Sequence, residues 1–541
     1  MRRSALLRSN LYGRGLSVAN LARAKGALLT AACIQWVSAL VLALPPAAAF
    51  GETSLDDLQR YVQQSLSEWQ TPGASLALVK DGKVILARGF GVRSVGGRAA
   101  VDENTLFGIG SCSKAFGSAS VAALVADGTV AWDDRLSKHL PELQLWDPWV
   151  TEHITVRDML SHRTGTSLDV EANGMPTIRR PEDWVTRLRY TTPAAGFREK
   201  YVYSNAMYVA SALMVERLTG RDWNDFAAER LWRPLHMNRT NGSLEGTVAD
   251  PNHADPHFLI NGRVFTSDAQ IVAPGTIPAT GNVMSTAHDM GRWLLFHLGE
   301  GTVEGEVILP AKVVHEMHTS QIPIRGGAQE AAYYFERVDS QTLKTRDWSY
   351  GMGWFLNDFR DKPMVWHGGT IPGFRCMVGF MPEQRVGVYV AANRTSLLPV
   401  ALFLRAMDAL IAAPPTDWSK IFQEETRYQE AQEVLQKNRR AAARVAGTQP
   451  SIPLDRFQGT FSSDPLGDLT VALENGVLRV VWGLKRGRLV HWHYDTFQIV
   501  WDRPEFDDTP LATFQAGAAA DVPSVTVADV GVFNRTRAAT R

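Results

Sequence analysis

The chain is poor in cysteine and has no net charge. It contains three cysteines among 541 residues, and its 56 Lys and Arg balance its 56 Asp and Glu. So few cysteines cannot form the disulfide framework of a small secreted domain or the clustered ligands of a structural zinc site. Beyond the first residues, no basic run is longer than two. The sequence therefore lacks the electrostatic surface that nucleic acid binding requires, and we exclude that class.

The sequence also lacks a Gly-x-Ser-x-Gly motif. That motif marks the turn that carries the nucleophile of α/β-hydrolases, so its absence excludes that serine hydrolase fold. Hydrophobic residues (45%) and charged residues (21%) are present in the proportions typical of a folded soluble protein. The length exceeds that of one ordinary core, and we expect two or three domains.

Residues 1–49 differ from the rest of the chain. Six basic residues precede the first acidic residue, Glu52, and are followed by an uncharged apolar run that ends in Ala47-Ala48-Ala49. This order of basic, apolar and small residues is typical of an export signal. We expect cleavage after Ala49 and a mildly acidic mature protein that is exported to the bacterial periplasm.

Three alternatives to a cleaved export signal stay open. The run from Ala27 to Leu44 is nearly long enough to span a bilayer, so an uncleaved leader would be an N-terminal membrane anchor. An arginine-rich organelle transit peptide has a similar composition. A start codon assigned too far upstream would lengthen the basic region in the same way.

Residues 50–415 show the pattern of an α+β domain. Apolar residues from Leu55 to Trp69 follow a helical period, and two predicted strands then flank an Asp81-Gly82 turn. Helices are predicted in the middle of the region, and strands return before Asn393. This order predicts one antiparallel sheet built from both ends of the region, flanked by helices and joined to a mostly helical subdomain.

Residues after 415 predict a linker and a second domain. Residues 416–450 are strongly charged, with apolar residues at intervals of seven and a stop at Gly447, which predicts a linker helix on a surface. Short alternating strands, two of them joined by an Asn475-Gly476 turn, follow in residues 451–541. This pattern predicts a small all-β C-terminal barrel.

One uncharged stretch carries the first catalytic candidates. It runs from Phe107 to Gly128 and has no charge between Lys114 and Asp127, which is typical of a buried central helix. Lysine is costly to bury, but a lysine amine whose pKa is lowered by an apolar environment can act as a base. Ser111, three residues earlier, would lie on the same helical face, and a serine hydroxyl needs such a base to become a nucleophile.

Two further motifs are candidates for the same site. The triplet YSN at residues 203–205 precedes a predicted helix, where its phenol can relay a proton and its amide can hold a substrate. The alternative is that Asn205 caps the helix, a role for which asparagine is well suited. The triplet HGG at residues 367–369 ends a predicted strand, and its glycines would let a substrate approach the backbone.

The order of SCSK, YSN and HGG resembles the serine β-lactamase and penicillin-binding-protein superfamily. Tyr-x-Asn with a histidine in the third motif is similar to its class C β-lactamase-like branch, which includes D-aminopeptidases, DD-peptidases and esterases. The phrases ITVRDMLSHRTG, YGMGW and HGGTIPGF extend the resemblance over roughly residues 55 to 412. The resemblance implies a β-lactamase/transpeptidase-like fold for residues 50–415 and a lipocalin-like C-terminal domain.

The resemblance also implies the catalytic roles. Ser111 would attack a carbonyl and form an acyl-enzyme, and Lys114 and Tyr203 would share the proton transfers. Asn205 would hold the acyl side of the substrate. The backbone N–H groups of Ser111 and Thr370 would form the oxyanion hole.

The third motif is implied to bind substrate through His367, Gly369 and Thr370. In class C β-lactamases a lysine takes the place of His367 and presents a positive charge to a substrate carboxylate. Histidine is mostly neutral at neutral pH, so we do not expect efficient β-lactam hydrolysis.

The expected function is hydrolysis of an amide or ester carbonyl in a D-amino-acid peptide, ester or β-lactam type of substrate, without a cofactor. The expected partner is a small molecule or a short peptide. The alternative is an exported, non-hydrolytic penicillin-binding, peptidoglycan-binding or receptor protein that has kept the pocket. Intact Ser111, Lys114 and Tyr203 argue against this alternative, because a binding protein has no physical need for all three.

Metal and cysteine chemistry are weak alternatives. The histidines of HADPH, at 253 and 257, lie in a proline-containing segment without clustered ligands, and those of HWH, at 491 and 493, share one strand face. We therefore expect no metal site. No His, Asn or Asp partner can be assigned to Cys112 as a nucleophile. Cys112 and Cys376 are expected to be free thiols, and a single disulfide between them is the alternative.

Overall fold

The structure, a computed structural model, describes residues 54–166, 177–267, 276–325, 348–506, 508–517 and 521–536. The expected export signal lies outside the described residues. None of the helices in the described ranges combines the length and the apolar character needed to cross a bilayer.

An eight-stranded antiparallel sheet forms the centre of the first domain. Its N-terminal hairpin turns at Asp81 and Gly82, both of which have positive φ, and strand Gly73–Lys80 pairs with the late strand Val386–Ala392. The two ends of the domain therefore meet in one sheet, as the sequence predicts. In spatial order the strands are Lys83–Gly91, Gly73–Lys80, Val386–Ala392, Phe374–Met381, Lys362–Ile371, Phe355–Phe359, Trp348–Tyr350 and Ile322–Pro323.

Helices cover both faces of this sheet. Along strand Gly73–Lys80, Ala77 and Val79 enter one apolar cluster, and Leu76 and Leu78 enter the other. This alternation shows that the sheet is buried on both faces. The helices of the described residues are Leu55–Glu68, Ser113–Ala126, Leu136–His139, Pro148–His153, Val156–Leu160, Pro181–Arg187, Asn205–Thr219, Trp223–Ala227, Leu244–Ala249, Ala287–Leu298, Ala311–Met317, Leu398–Leu410 and Trp418–Ala442.

Short elements complete the first domain. Three two-stranded sheets pair Phe107–Gly108 with Met284–Ser285, His257–Ile260 with Arg263–Thr266, and Thr302–Val303 with Glu306–Val307. The chain also has 3-10 turns at Gly110–Cys112 and Leu188–Tyr190 and a wider π-turn at Ala228–Trp232. A further 3-10 turn, Leu454–Phe457, precedes the barrel.

The helix Ser113–Ala126 is the buried central helix that its uncharged sequence predicts. Twelve of its fourteen residues are buried. Small residues allow its neighbours to approach closely: a Cβ atom added at Gly117 would lie 2.9 Å from the Cβ of Ala279. The helix begins at Ser113 rather than at Ser111, because Gly110–Cys112 forms the preceding 3-10 turn.

The C-terminal domain is a closed eight-stranded barrel. Its strands are Gly459–Ser463, Gly467–Glu474, Val477–Trp482, Lys485–His493, Thr496–Trp501, Leu511–Gln515, Ser524–Val527 and Gly531–Arg535. Asn475 and Gly476 form the expected turn, with positive φ at both residues. The inward side chains, including Phe461, Trp482 and Phe514, form a packed apolar core. The α+β fold with an antiparallel sheet, flanking helices and an all-β C-terminal barrel is confirmed.

The linker helix Trp418–Ala442 is buried only at its start. Trp418, Ser419 and Phe422 pack against the first domain, and the remaining turns are largely exposed. The barrel also contacts the first domain directly. Thr177 donates to the carbonyl of Leu466 over 2.8 Å, and Ser267 donates to the carboxylate of Glu505.

Candidate active site

Ser111 lies in a tight turn against the strand that carries the third motif. Gly110, before it, has a φ of +51°, and a Cβ atom there would lie 2.6 Å from the backbone N of Thr370. A Cβ atom at Gly369 would lie 1.8 Å from the carbonyl O of Ile109 and 2.9 Å from the backbone N of Ser111. Glycine at both positions therefore lets the two backbones approach each other. This approach brings the backbone N–H groups of Ser111 and Thr370 close together.

Lys114 points back toward Ser111 from the first turn of the central helix. Its side chain is fully buried, and its Nζ lies 3.1 Å from Ser111 Oγ, 2.6 Å from Asn205 Oδ1 and 3.2 Å from the carbonyl O of Thr280. The two carbonyl oxygens can only accept hydrogen bonds. A neutral amine would therefore donate its two protons to Asn205 and Thr280 and turn its lone pair toward the hydroxyl of Ser111.

The second motif lies across Lys114 from the serine. Asn205 is the first residue of the helix Asn205–Thr219, and Ser204 occupies the cap position without a side-chain capping bond. The side chain of Asn205 is used to contact Lys114 instead of capping the helix. The ring of Tyr203 lies under the amine, with its centroid 4.6 Å from Lys114 Nζ.

His367 is buried in the third motif, at 1% exposure. Its Nδ1 lies 2.6 Å from the carbonyl O of Gly368, and its Nε2 lies 3.1 Å from the hydroxyl of Tyr350. A carbonyl can only accept, so Nδ1 carries the proton and Nε2 accepts from Tyr350. Burial lowers the pKa of His367 to about 3. The imidazole is therefore neutral, with both nitrogens bonded inside the protein.

The hydroxyl of Thr370 completes the third motif. Its Oγ1 is shielded from solvent and has no hydrogen-bond partner among the residues that the structure describes. A buried hydroxyl without a partner is rare in proteins, and one beside the serine is available to a bound molecule.

Three residues of the site were not found by sequence reasoning. The carbonyl of Thr280 contacts Lys114, and Thr280 follows Ala279, a buried residue with a φ of +58°. His162 and Tyr350 lie behind the second and third motifs. The sequence segments that contain them, LSHRTG and YGMGW, are part of the family resemblance and could have indicated that these two residues belong to the site. Thr280 carries no comparable signal in the sequence, although its carbonyl contacts Lys114 and its hydroxyl donates to the carbonyl of Asn205 over 3.2 Å.

Cys112 and Cys376 are free thiols behind the serine. Their sulfur atoms lie 3.5 Å apart, and burial raises the pKa of Cys376 well above its usual value. A thiol in this state is a poor nucleophile. Within the described ranges, no group of three or more His, Cys, Asp or Glu side chains could hold a metal ion.

Two family models match this chain. Residues 58–413 match the family model Beta-lactamase, and residues 443–539 match a domain of unknown function, DUF3471. The unguisins hydrolase of Aspergillus campestris is 26% identical over 441 residues, which cover 78% of each chain. Protein flp of Staphylococcus aureus is 24% identical over 349 residues, which cover 63% of this chain and 64% of flp.

Two solved structures show the same fold. The octameric penicillin-binding protein homologue from Pyrococcus abyssi has a TM-score of 0.59 at 20% identity, covering 89% of this chain and 100% of that one. The D-amino acid amidase from Ochrobactrum anthropi has a TM-score of 0.53 at 22% identity, covering 66% of this chain and 98% of that one. Since the family model spans most of the chain, including all three motifs, this protein belongs to the Beta-lactamase family.

Proposed function

We propose that this protein is a serine hydrolase that cleaves an amide or ester bond through an acyl-enzyme on Ser111. The observation that carries the proposal is the 3.1 Å contact between Ser111 Oγ and the fully buried amine of Lys114. A serine hydroxyl is a weak nucleophile until a neighbouring base accepts its proton, and an amine in this position can be that base. Membership of a family with hydrolase relatives supports the same class of reaction.

In the proposed acylation, the neutral amine of Lys114 takes the proton of Ser111 as Oγ bonds to the carbonyl carbon. The backbone N–H groups of Ser111 and Thr370 stabilise the oxygen that becomes negative. The carbon then loses its amine or alcohol leaving group, which takes the proton from Lys114 through the hydroxyl of Tyr203. Water attacks the ester on Ser111, releases the acid and returns a proton to Oγ, so each turnover consumes one water and needs no cofactor.

The neighbours of Lys114 support this assignment of roles. Asn205 and Thr280 each accept from Nζ, so they orient its lone pair toward Ser111. The ring of Tyr203 lies next to the amine, with its centroid 4.6 Å from Nζ, and proton transfer to the leaving group through its hydroxyl stays a prediction from the sequence. Binding of the acyl side by Asn205 stays a prediction from the sequence.

The substrate we propose is a small molecule or short peptide whose scissile bond has no adjacent carboxylate. His367 is neutral and offers neither ring nitrogen to a ligand, so the third motif presents no fixed positive charge. Recognition would rest on the hydroxyl of Thr370 and on backbone groups. The name of one relative, the unguisins hydrolase, supports a hydrolytic reaction.

The export of the protein to the periplasm is part of the proposal. It rests on the order of basic, apolar and small residues before Phe50. N-terminal sequencing of the protein purified from its native cells, beginning at Phe50, would support it. A chain that still starts at Met1 in a membrane fraction would instead identify the leader as an anchor.

Intact-protein mass spectrometry tests the acyl-enzyme directly. The protein is exposed to a fluorophosphonate and, separately, to a penicillin, with Ser111→Ala and Ser120→Ala in parallel. Ser120 is a matched control because it is buried in the same central helix and bonds only the carbonyl of Phe116. We expect a fluorophosphonate adduct in the wild type and in Ser120→Ala, and none in Ser111→Ala.

The other outcomes are also decisive. Hydrolysis that continues unchanged in Ser111→Ala would disprove the serine mechanism. A penicillin adduct that forms and never turns over would indicate a binding or DD-peptidase role. The absence of any adduct in folded protein would favour the non-hydrolytic binding protein.

A further inference from the structure

His162 forms a hydrogen bond to the backbone of the second motif. It lies in the turn after the helix Val156–Leu160, and its Nδ1 accepts the backbone N–H of Ser204 over 3.1 Å. Ser204 is the residue between Tyr203 and Asn205. This hydrogen bond therefore fixes the backbone between the two candidate site residues, and a second one, from the N–H of Val202 to the carbonyl of His162, fixes the residue before them.

His162 is in the neutral protonation state that can accept the hydrogen bond from Ser204. Because Nδ1 accepts from an amide, the proton of the neutral ring must lie on Nε2. The ring is fully buried and lies 4.3 Å from the ring of Tyr203, centroid to centroid. Burial holds the pKa of His162 well below its usual value. His162 therefore stays neutral and keeps its acceptor.

The backbone of His162 is also in an uncommon conformation. Its φ is +55°, a left-handed value that residues other than glycine adopt at a cost. Such conformations persist where the surrounding contacts determine them, and they concentrate at functional sites. Two contacts hold His162 in this conformation: its carbonyl accepts the N–H of Val202 over 2.8 Å, and its Nδ1 accepts the N–H of Ser204.

Tyr350 forms a hydrogen bond to the third motif, through the side chain of His367. Its hydroxyl donates to Nε2 of His367, which keeps the proton of that histidine on Nδ1, bonded to the carbonyl of Gly368. The ring of Tyr350 also contacts the ring of His162, with centroids 4.7 Å apart. The residue that bonds to the second motif, His162, is therefore in contact with the residue that bonds to the third motif, Tyr350.

We propose that His162 and Tyr350 are positioning residues of the acyl-transfer site. His162 places Tyr203 and Asn205 against Lys114 through the amide of Ser204. Tyr350 holds His367 in one tautomer, so that the strand beside Ser111 keeps its place. This inference rests on the proposed serine hydrolase function, and it adds two residues that touch neither the substrate nor the reacting atoms.

Four variants test the proposal, with thermal melting as a check of folding. His162→Asn places an amide oxygen near the position of Nδ1 and can still accept from Ser204, whereas His162→Gln places its oxygen further along the side chain. Tyr350→Phe removes one hydroxyl. Tyr61→Phe is the matched control, because the hydroxyl of Tyr61 is bonded to Asp417 in another part of the domain.

We expect the rate of fluorophosphonate labelling to fall by about tenfold or more in His162→Gln and in Tyr350→Phe, the effect of leaving one buried polar group unsatisfied. His162→Asn should recover a large part of that loss, and Tyr61→Phe should match the wild type. In substrate hydrolysis the losses should appear in kcat rather than in KM. Equal rates for His162→Asn and His162→Gln, or a Tyr350→Phe rate equal to that of Tyr61→Phe, would overturn the proposal.

Nitrogen-15 NMR of histidine-labelled protein separates this inference from the proposed function. The spectrum distinguishes protonation at Nδ1 from protonation at Nε2. His367 should show the Nδ1–H form and His162 the Nε2–H form, each assigned by its own substitution. This result does not depend on catalysis, so it stands if Ser111 proves unreactive. The opposite tautomers would refute the positioning roles in an active enzyme.

Discussion

Lys114 Nζ lies 2.6 Å from Asn205 Oδ1, across 91 positions of the chain. This short contact occupies one side of the amine, and the carbonyl of Thr280 occupies a second side at 3.2 Å. The hydroxyl of Ser111 faces the third side. The neighbours of the lysine thus determine the direction in which it can exchange a proton with the serine.

The contact between Lys114 and Asn205 predicts how Asn205→Asp will change the rate of hydrolysis. A carboxylate at this distance would stabilise the ammonium form of Lys114, which cannot accept the proton of Ser111. We expect hydrolysis to fall at neutral pH and to recover partly as the pH is raised. The measurement is the pH profile of kcat/KM. Asn224→Asp, on another helix of the same domain, is the control, and an unshifted profile in Asn205→Asp would contradict the role of the amine as a base.

Lys114→Arg tests the same role without removing positive charge. Arginine stays protonated throughout the accessible pH range, so it cannot serve as a base. We expect hydrolysis to fall by a factor of about 10² to 10⁴, the usual contribution of a general base. Lys138→Arg is the matched control, since the side chain of Lys138 is 63% exposed. Wild-type rates in Lys114→Arg would assign base catalysis to another group.

Gly369→Ala should disrupt the contact between the nucleophile turn and the third motif. The added methyl group would lie 1.8 Å from the carbonyl O of Ile109, a backbone atom that cannot rotate away. Overpacking of this kind costs about 1–3 kcal/mol, and here the shift displaces the oxyanion-hole amides. We expect a lower melting temperature and a lower labelling rate.

Gly246→Ala provides the comparison, because its nearest neighbour would lie at 3.6 Å. It should retain both the melting temperature and the labelling rate. If Gly369→Ala also retained the melting temperature and the labelling rate of the wild type, our conclusion that the two backbones are in close contact at Gly369 would be wrong.

Buried histidines predict a loss of stability in mild acid. Burial lowers the pKa of His318 and of His367 to about 3, from an ordinary value of 6.5. Lys114 and Tyr350 face His367, and His297 and His315 lie beside His318. Between pH 6.5 and 3 the unfolded chain binds more protons than the folded one, so the free energy of unfolding falls as the pH falls. For each histidine the slope approaches about 1.4 kcal/mol per pH unit.

Urea unfolding at pH 7.5 and pH 5.0 measures this effect. Aspartates contribute little over that interval; the pKa of Asp134, for example, is lowered to about 2. His318→Gln removes one titrating group outside the three motifs and should reduce the difference in the free energy of unfolding between the two pH values. Equal stability of the wild type at both pH values would show that these histidines are not buried in the neutral form.

Much of the fold follows from local patterns. The helical period that begins at Leu55 and the glycine turns at Gly82 and Gly476 produce the expected elements, since each depends on residues close together in the chain. The expected linker helix also forms, but it ends at Ala442 rather than near Gly447. Helix ends depend on competing local contacts, which composition alone does not resolve.

The sequence by itself determined the order of elements and the three motifs that meet around Lys114. Spacing and apolar period are local properties, and a family resemblance can be recognised from them. Only the tertiary structure decided that His367 turns into the protein toward Tyr350, and that His162 supports the amide of Ser204. The proton positions on these rings are set by partners distant in the chain, and hydrogen bonds of this kind form only after the sheet and helices have packed.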